Sequence, residues 1–309
     1  MMSRLVQLPA SDYSPTAFAK FDPAAGFSID NARAMMWLSQ LAYEAYQPDQ
    51  PATIQTVGKL WGFTRVAPFA KRKVSFKASY DTCGIIGERD KAVILAFAGT
   101  DPGVWETIIT DFTLRPGTDT HAGFQDAADA VKDVVAQAIA LSRAGAKPLF
   151  LTGHSLGAAI AAIVALDQDA RPAAVYGFGM PRPGNARFHA RYTAALGERT
   201  FRFVHGLDIV ARVPPSILLG TSGFRHVGHM FQCASGGKFD GAAPPAALES
   251  DDPPFGPEPS DILTAGLAAL AAGNFFSPPG PGPFGSLFRF LPQPIRDHLQ
   301  DRYWVALTP

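Results

Sequence analysis

The sequence predicts an α/β fold: a mainly parallel central sheet with helices on both faces. Short apolar runs alternate with segments of helical spacing from residue 92 to residue 204, the order that a parallel sheet covered by crossover helices requires. An apolar run at 149–152 leads into Gly153-His154-Ser155-Leu156-Gly157, and an Ala-rich helical segment at 156–166 follows. No period of 20 to 50 residues repeats, which argues against a solenoid or a propeller.

The elements follow in order. Residues 30–46 place Ala34, Leu38, Leu41, Ala42 and Ala45 at helical spacing behind Ser28 and Asp30 as caps. The apolar segments 83–86 and 92–98 flank Gly87-Glu88-Arg89-Asp90, which reads as a hairpin or tight connection. Residues 122–144 read as one helix, with Phe124, Ala127, Val131, Val134, Val135, Ala138 and Leu141 on one side and Gly145 and Pro148 as stops. Further buried strands are expected at 173–178 and 200–204, with a helix at 185–196 between them. From residue 236 the composition turns to Gly, Pro and acidic residues, with a short apolar helix expected at 261–272. The stretch 236–290 holds too little apolar sequence for a second core, so the expectation is a single domain over 1–309 with this stretch as an insertion or cover.

Composition bounds the function. The chain has 309 residues, 47% of them hydrophobic, which suffices for one large core. Lys plus Arg (27) equals Asp plus Glu (27), so the overall charge suggests no nucleic-acid partner and no polybasic membrane anchor. Two cysteines, Cys83 and Cys233, are too few for a disulfide framework and are expected as free thiols. The first residues lack the apolar run of a secretory signal, and the longest apolar stretch, 262–276, is shorter than the ~20 residues that span a bilayer. These features set the expectation of a cytoplasmic protein with no transmembrane segment.

The run around Ser155 has the Gly-x-Ser-x-Gly form in a strand–turn–helix context, the setting of a nucleophile elbow. A serine hydroxyl is a weak nucleophile at neutral pH, so it needs a base, an acid that orients the base, and donors for the oxyanion. In elbow proteins the acid and then the base follow the nucleophile along the chain. Asp208 comes directly after the strand expected at 200–204, on the sheet edge where Ser155 sits, whereas Asp240, Asp251, Asp252 and Asp261 belong to the insertion. For the base, His205, His226, His229 and His298 are all candidates; His226 and His229 fall on 224–233, where their spacing points them to opposite faces of a strand. The pair lacks the further ligands of a metal site, and no metal or organic cofactor is implied. The oxyanion donors are expected from the amide of Leu156 and from Thr100 at the end of Ala98-Gly99-Thr100. Gly177-Phe178-Gly179 lacks the third glycine of a dinucleotide fingerprint, since position 182 is Arg.

In ordered motifs the chain resembles the class 3 lipases, the family of fungal and plant triacylglycerol lipases and related esterases, which have the α/β-hydrolase fold. The resemblance is carried by Asp81-Thr82-Cys83-Gly84, Ile94 to Thr100, His121-Ala122-Gly123-Phe124 and the elbow. After these come Gly179-Met180-Pro181-Arg182-Pro183-Gly184-Asn185, Val204 to Pro215, Phe224-Arg225-His226-Val227-Gly228 and Asp297-His298-Leu299-Gln300-Asp301-Arg302-Tyr303. It implies Ser155 as nucleophile, Asp208 as acid, His298 as base, Thr100 and Leu156 as oxyanion donors, and His226 on a structural strand. It also implies hydrolysis of acylglycerol-type esters through an acyl-serine intermediate, with lipid or ester substrate met at a lipid–water interface. Rival expectations are an esterase for short-chain or aromatic esters, a phospholipase, or a non-catalytic lipid-binding protein of the same fold. The chain departs from the family at Ala98, where Arg is common, and at Trp105 and Asp111, whose spacing differs from the usual lid. Val104, Trp105, Ile108 and Ile109 make an apolar face that reads either as a lid or as a buried helix.

Overall fold

Ser28 starts the first long helix: its side chain accepts the Asn31 N–H at 3.3 Å, and helix α1 (Ile29–Ala42) follows, ending in a 3-10 turn, Tyr43–Tyr46. The expected helix at 30–46 thus spans two geometries. In this computed structural model the described residues are 7–46, 51–74, 79–99, 119–166, 170–214, 217–218, 221–241 and 293–309. Thr100, the apolar face at 101–110 and nearly all of the expected insertion, including 261–272, lie outside them.

The remaining elements are α2 (Pro51–Leu60), β1 (Phe63–Val74), β2 (Ser79–Arg89), β3 (Ala92–Phe97), α3 (Ala122–Ala130), α4 (Lys132–Gly145), β4 (Leu149–His154), α5 (Leu156–Ala165), β5 (Ala174–Phe178), α6 (Ala186–Leu196), β6 (Thr200–His205), a two-residue hairpin β7 (Ile217–Leu218) and β8 (Thr221–Ser222), β9 (His229–Cys233), α7 (Gln293–Arg296) and α8 (Gln300–Ala306). The sheet order is β1-β2-β3-β4-β5-β6-β9, antiparallel from β1 to β3 and parallel from β3 onward.

Alternation along the strands shows why helices cover both faces. On β3, Ala92, Ile94 and Ala96 join one core with Met35, Leu38, Phe150, Phe178 and Phe203. Val93, Leu95 and Phe97 join the other, with Val135, Leu151, Ile160 and Tyr192. Because a strand's side chains alternate, each buried strand feeds both layers. Helices α1 and α8 pack on the first layer, and α3, α4 and α5 on the second.

Three local expectations change. The hairpin turns at Asp90-Lys91, since Arg89 pairs with Ala92. Gly87 lies inside β2, paired with Val66 and Ile94, and the close approach of the Phe63 ring leaves no room for a Cβ there. The single helix expected at 122–144 is two, broken at Val131 (φ −110°, ψ 14°), which aims α3 at α5 and α4 at β3. Strand β1, charged at Arg65, Lys71, Arg72 and Lys73 and carrying Pro68, has the composition of a protected sheet edge and occupies that edge.

Candidate active site

Strand β4 and helix α5 meet at Ser155, a non-glycine residue with φ 58° and ψ −132°. A positive φ in a residue bearing a Cβ is strained and persists only where its surroundings fix it. They do so through backbone. The Ser155 N–H donates to the Phe178 carbonyl at 2.8 Å. A Cβ at Gly153 would collide with the backbone of Gly157, and a Cβ at Gly157 with the carbonyls of Phe97 and Ala98. Both glycines of the motif therefore serve close backbone approach.

Asp208 follows β6 and is fully buried. Its carboxylate accepts from the Val210 N–H at 2.8 Å, from His298 Nδ1 at 2.8 Å and from the Tyr303 hydroxyl. Facing a carboxylate, His298 carries its proton on Nδ1, which leaves the lone pair of the neutral ring on Nε2. Gly179 (φ +55°) follows the residue that holds the Ser155 amide. A Cβ on it would stand 2.7 Å from Asp208 Oδ2 and 2.8 Å from His298 Nδ1. The Phe178-Gly179 peptide thus joins the elbow to the Asp208–His298 pair, bringing Ser155, Asp208 and His298 to one place. Leu156 opens α5, so its N–H is one of the first-turn donors that a helix leaves without an intrahelical acceptor. Thr100 is outside the described residues. Its neighbour Gly99 packs against the elbow, where a Cβ would lie 2.9 Å from the Ser155 Cβ.

The other candidate bases are engaged elsewhere. His226 precedes β9 and lies in no strand; its Nε2 donates to the Ala211 carbonyl at 2.6 Å. The expectation that His226 and His229 share a strand therefore fails, because that strand begins only at His229. His229 Nε2 lies 3.3 Å from Glu198 Oε2, and His205 Nε2 accepts the Gly236 N–H at 3.1 Å.

Several residues of the site escaped the sequence reading. His154 donates from Nε2 to the His298 carbonyl at 2.8 Å and accepts the Tyr43 hydroxyl at Nδ1, 2.9 Å away. Tyr46 donates to the Gly99 carbonyl at 2.6 Å. The 3-10 turn after α1 thereby grips both the elbow and the strand end that leads to Thr100. Tyr303 also accepts the His205 N–H at 3.2 Å. Burial, followed by the charge of Asp208, holds the Tyr303 hydroxyl well above the ordinary tyrosine range. Tyr303→Phe would leave that amide and one carboxylate lone pair unpaired in the interior. It is expected to cost about 1–3 kcal/mol in a urea unfolding titration.

Burial drives His154 well below the ordinary histidine range, with the neighbouring His298 adding to the effect. Burial, then Arg202 and Arg182, does the same to His226. Both fold as neutral rings. In the unfolded chain each takes up a proton near pH 6.5, so below that pH the unfolded state binds more protons. The stability linked to these rings is complete above about pH 6.5 and falls with pH, by up to about 1.4 kcal/mol per pH unit for each. The urea midpoint is expected to drop between pH 6.5 and 5; a flat midpoint would show that the rings are accessible to protons.

Among the described residues no group of three His, Cys, Asp or Glu side chains is placed to hold a metal ion, and no helix is long and apolar enough to cross a membrane. Cys83 and Cys233 are free thiols, pushed by burial up to about 12 and about 11.

A mostly parallel sheet with a serine elbow at a strand end, followed in chain order by a buried Asp and His, is the arrangement of an α/β-hydrolase. Residues 99–217 match the sequence model of the family Lipase (class 3), and over part of its length the chain is similar to fungal lipases. A secreted mono- and diacylglycerol lipase 1 of Fusarium solani is 36% identical over 118 residues, covering 37% of this chain and 34% of that protein. A lipase of Rhizomucor miehei is 31% identical over 171 residues, covering 49% and 45%. The chain thus spans between a third and a half of these relatives. Among solved structures, the Rhizomucor miehei lipase–propeptide complex superposes with a TM-score of 0.52 at 22% identity over 75% of this chain and 79% of that one. Lipase II from Rhizopus niveus gives 0.51 at 23% over 67% and 81%. These two likenesses concern the fold. The expectation of a cytoplasmic protein does not stand, because relatives from Fusarium, Malassezia and Penicillium are named secreted lipases.

Proposed function

We propose that the protein hydrolyses carboxylic esters of the acylglycerol type through an acyl-serine intermediate. The observation that carries this reading is the strained Ser155 one peptide away from the buried Asp208–His298 pair. His298 Nε2 takes the Ser155 proton as Oγ bonds to the ester carbonyl carbon, and Asp208 stabilises the resulting imidazolium. The amide of Leu156, together with Thr100, donates to the oxyanion. The carbon–oxygen bond to the alcohol then breaks, and the alcohol leaves with the proton from His298. Water, deprotonated by the same ring, releases the acid and restores Ser155.

The names of the relatives favour acylglycerols as substrate and action outside the cell. Residues 1–309 are proposed as one domain, with 236–290 as its insertion. A panel of 4-nitrophenyl esters of rising acyl length tests the reading. Turnover that increases with chain length supports a lipase, and turnover confined to the shortest esters supports an esterase. Failure to hydrolyse any ester, with no covalent adduct from a fluorophosphonate, would overturn it.

A further inference from the structure

We infer that Asp297 is a positioning residue for the proposed Ser155 chemistry, because the end of β6 with the loop after it and the loop bearing His298 exchange Asp–His pairs in both directions. The first loop lends Asp208 to His298; the second lends Asp297 to His205. The inference rests on the hydrolase reading for its consequence, though not for its geometry.

The loop bearing His298 lies between two short helices, α7 and α8. The Asp297 carboxylate, only 4% exposed, supplies the anchor. Its Oδ2 accepts the Leu207 N–H at 2.9 Å and the Ser235 hydroxyl, and its Oδ1 lies 3.4 Å from His205 Nδ1. Leu207 adjoins Asp208, and Asp297 adjoins His298. The carboxylate beside the base therefore grips the amide beside the acid, which fixes the separation of the Asp208–His298 pair.

The surroundings are built to that carboxylate. Gly206 has φ +53°, and a Cβ on it would collide with Asp297 Oδ2 and Ser235 Oγ. The Gly236 N–H bonded to His205 Nε2 leaves the neutral ring's proton on Nδ1, facing Asp297. Gln293 donates from its amide to Ser235 Oγ at 2.6 Å, and its carbonyl accepts the Asp297 N–H at 2.8 Å. Burial pushes the Asp297 carboxyl up, but the bonds from His205, Leu207 and Ser235 outweigh it and hold the group below the ordinary carboxylate range. It is ionised at neutral pH.

Asp297→Asn and Asp297→Ala in the full chain test this. With a soluble 4-nitrophenyl ester, kcat is expected to fall about 10-fold for Asn and about 100-fold for Ala, the range for partners that orient a reacting ligand, while KM stays within about twofold. The downfield proton resonance of His298 Nδ1–H, assigned by its loss in His298→Asn, is expected to shift upfield or broaden, which a loss of global stability alone would not produce. Since Asp297→Ala can fail to fold, a milder pair keeps the idea open to refutation. Asp297→Asn combined with His205→Asn is expected to cost no more than the larger single change. A folded Asp297→Asn protein with wild-type kcat and an unmoved downfield proton would overturn the inference, as would additive losses in the pair. If the wild type neither turns over esters nor reacts with a fluorophosphonate, the hydrolase reading falls, and the downfield proton still decides the clamp.

Discussion

Ser155→Ala is expected to lower kcat on a soluble nitrophenyl ester by about 10⁵- to 10⁶-fold, with KM little changed. The size follows from the chemistry: without Oγ no acyl-enzyme forms, and what remains is a direct attack by water assisted only by the oxyanion donors. Alanine keeps the Cβ, so the backbone strain at φ 58° and the Ser155 N–H bond to Phe178 persist. A thermal or urea midpoint at or above that of the wild type would then attribute the loss to the nucleophile rather than to folding. Stoichiometric labelling by a fluorophosphonate should vanish in the same variant. Activity within tenfold of wild type would overturn Ser155 as nucleophile.

Asp208→Asn is expected to cost about 10⁴-fold in kcat, the effect of presenting the imidazole with the wrong partner. Asp208 accepts from the Val210 N–H, His298 Nδ1 and the Tyr303 hydroxyl. An amide offers a single accepting oxygen, and its NH₂ group must face at least one of these donors. The ring then favours the tautomer with its proton on Nε2, where it no longer serves as a base toward Ser155. The side chain is fully buried, so water cannot repair the mismatch. The check is the pH–rate profile of the variant beside its urea midpoint: partial recovery at high pH with a lowered midpoint is the expected pattern. A variant with unaltered kcat would remove Asp208 from the reaction.

The two variants separate the parts of the site. Ser155→Ala leaves the hydrogen-bond network of Asp208, His298 and Tyr303 in place, and the downfield proton of His298 should survive. Asp208→Asn removes that proton's acceptor while leaving Ser155 intact. A fluorophosphonate is expected to label the Asp208→Asn protein slowly and the Ser155→Ala protein not at all.

Local pattern accounts for the elements that were legible along the chain. A run such as Leu149-Phe150-Leu151-Thr152 before Gly153 and an Ala-rich run after Gly157 leave few alternatives to strand, turn and helix, because period and glycine placement are properties of neighbours in the chain. Chain order restricted the acid and base to residues after Ser155, and the strand before Asp208 placed that residue at the site edge. Residue spacing left four histidines open, and only the family resemblance singled out His298, because a histidine's role depends on what faces each nitrogen. Only tertiary structure set Asp208 against His298, the Ala211 carbonyl against His226, and the Gly236 amide against His205. Tyr43, Tyr46 and Tyr303 carry no local signal, since their partners His154, Gly99 and Asp208 are distant along the chain. The break at Val131 and the position of Gly87 inside β2 were likewise decided by packing against other elements, which overrides periodicity and turn propensity where a core must close.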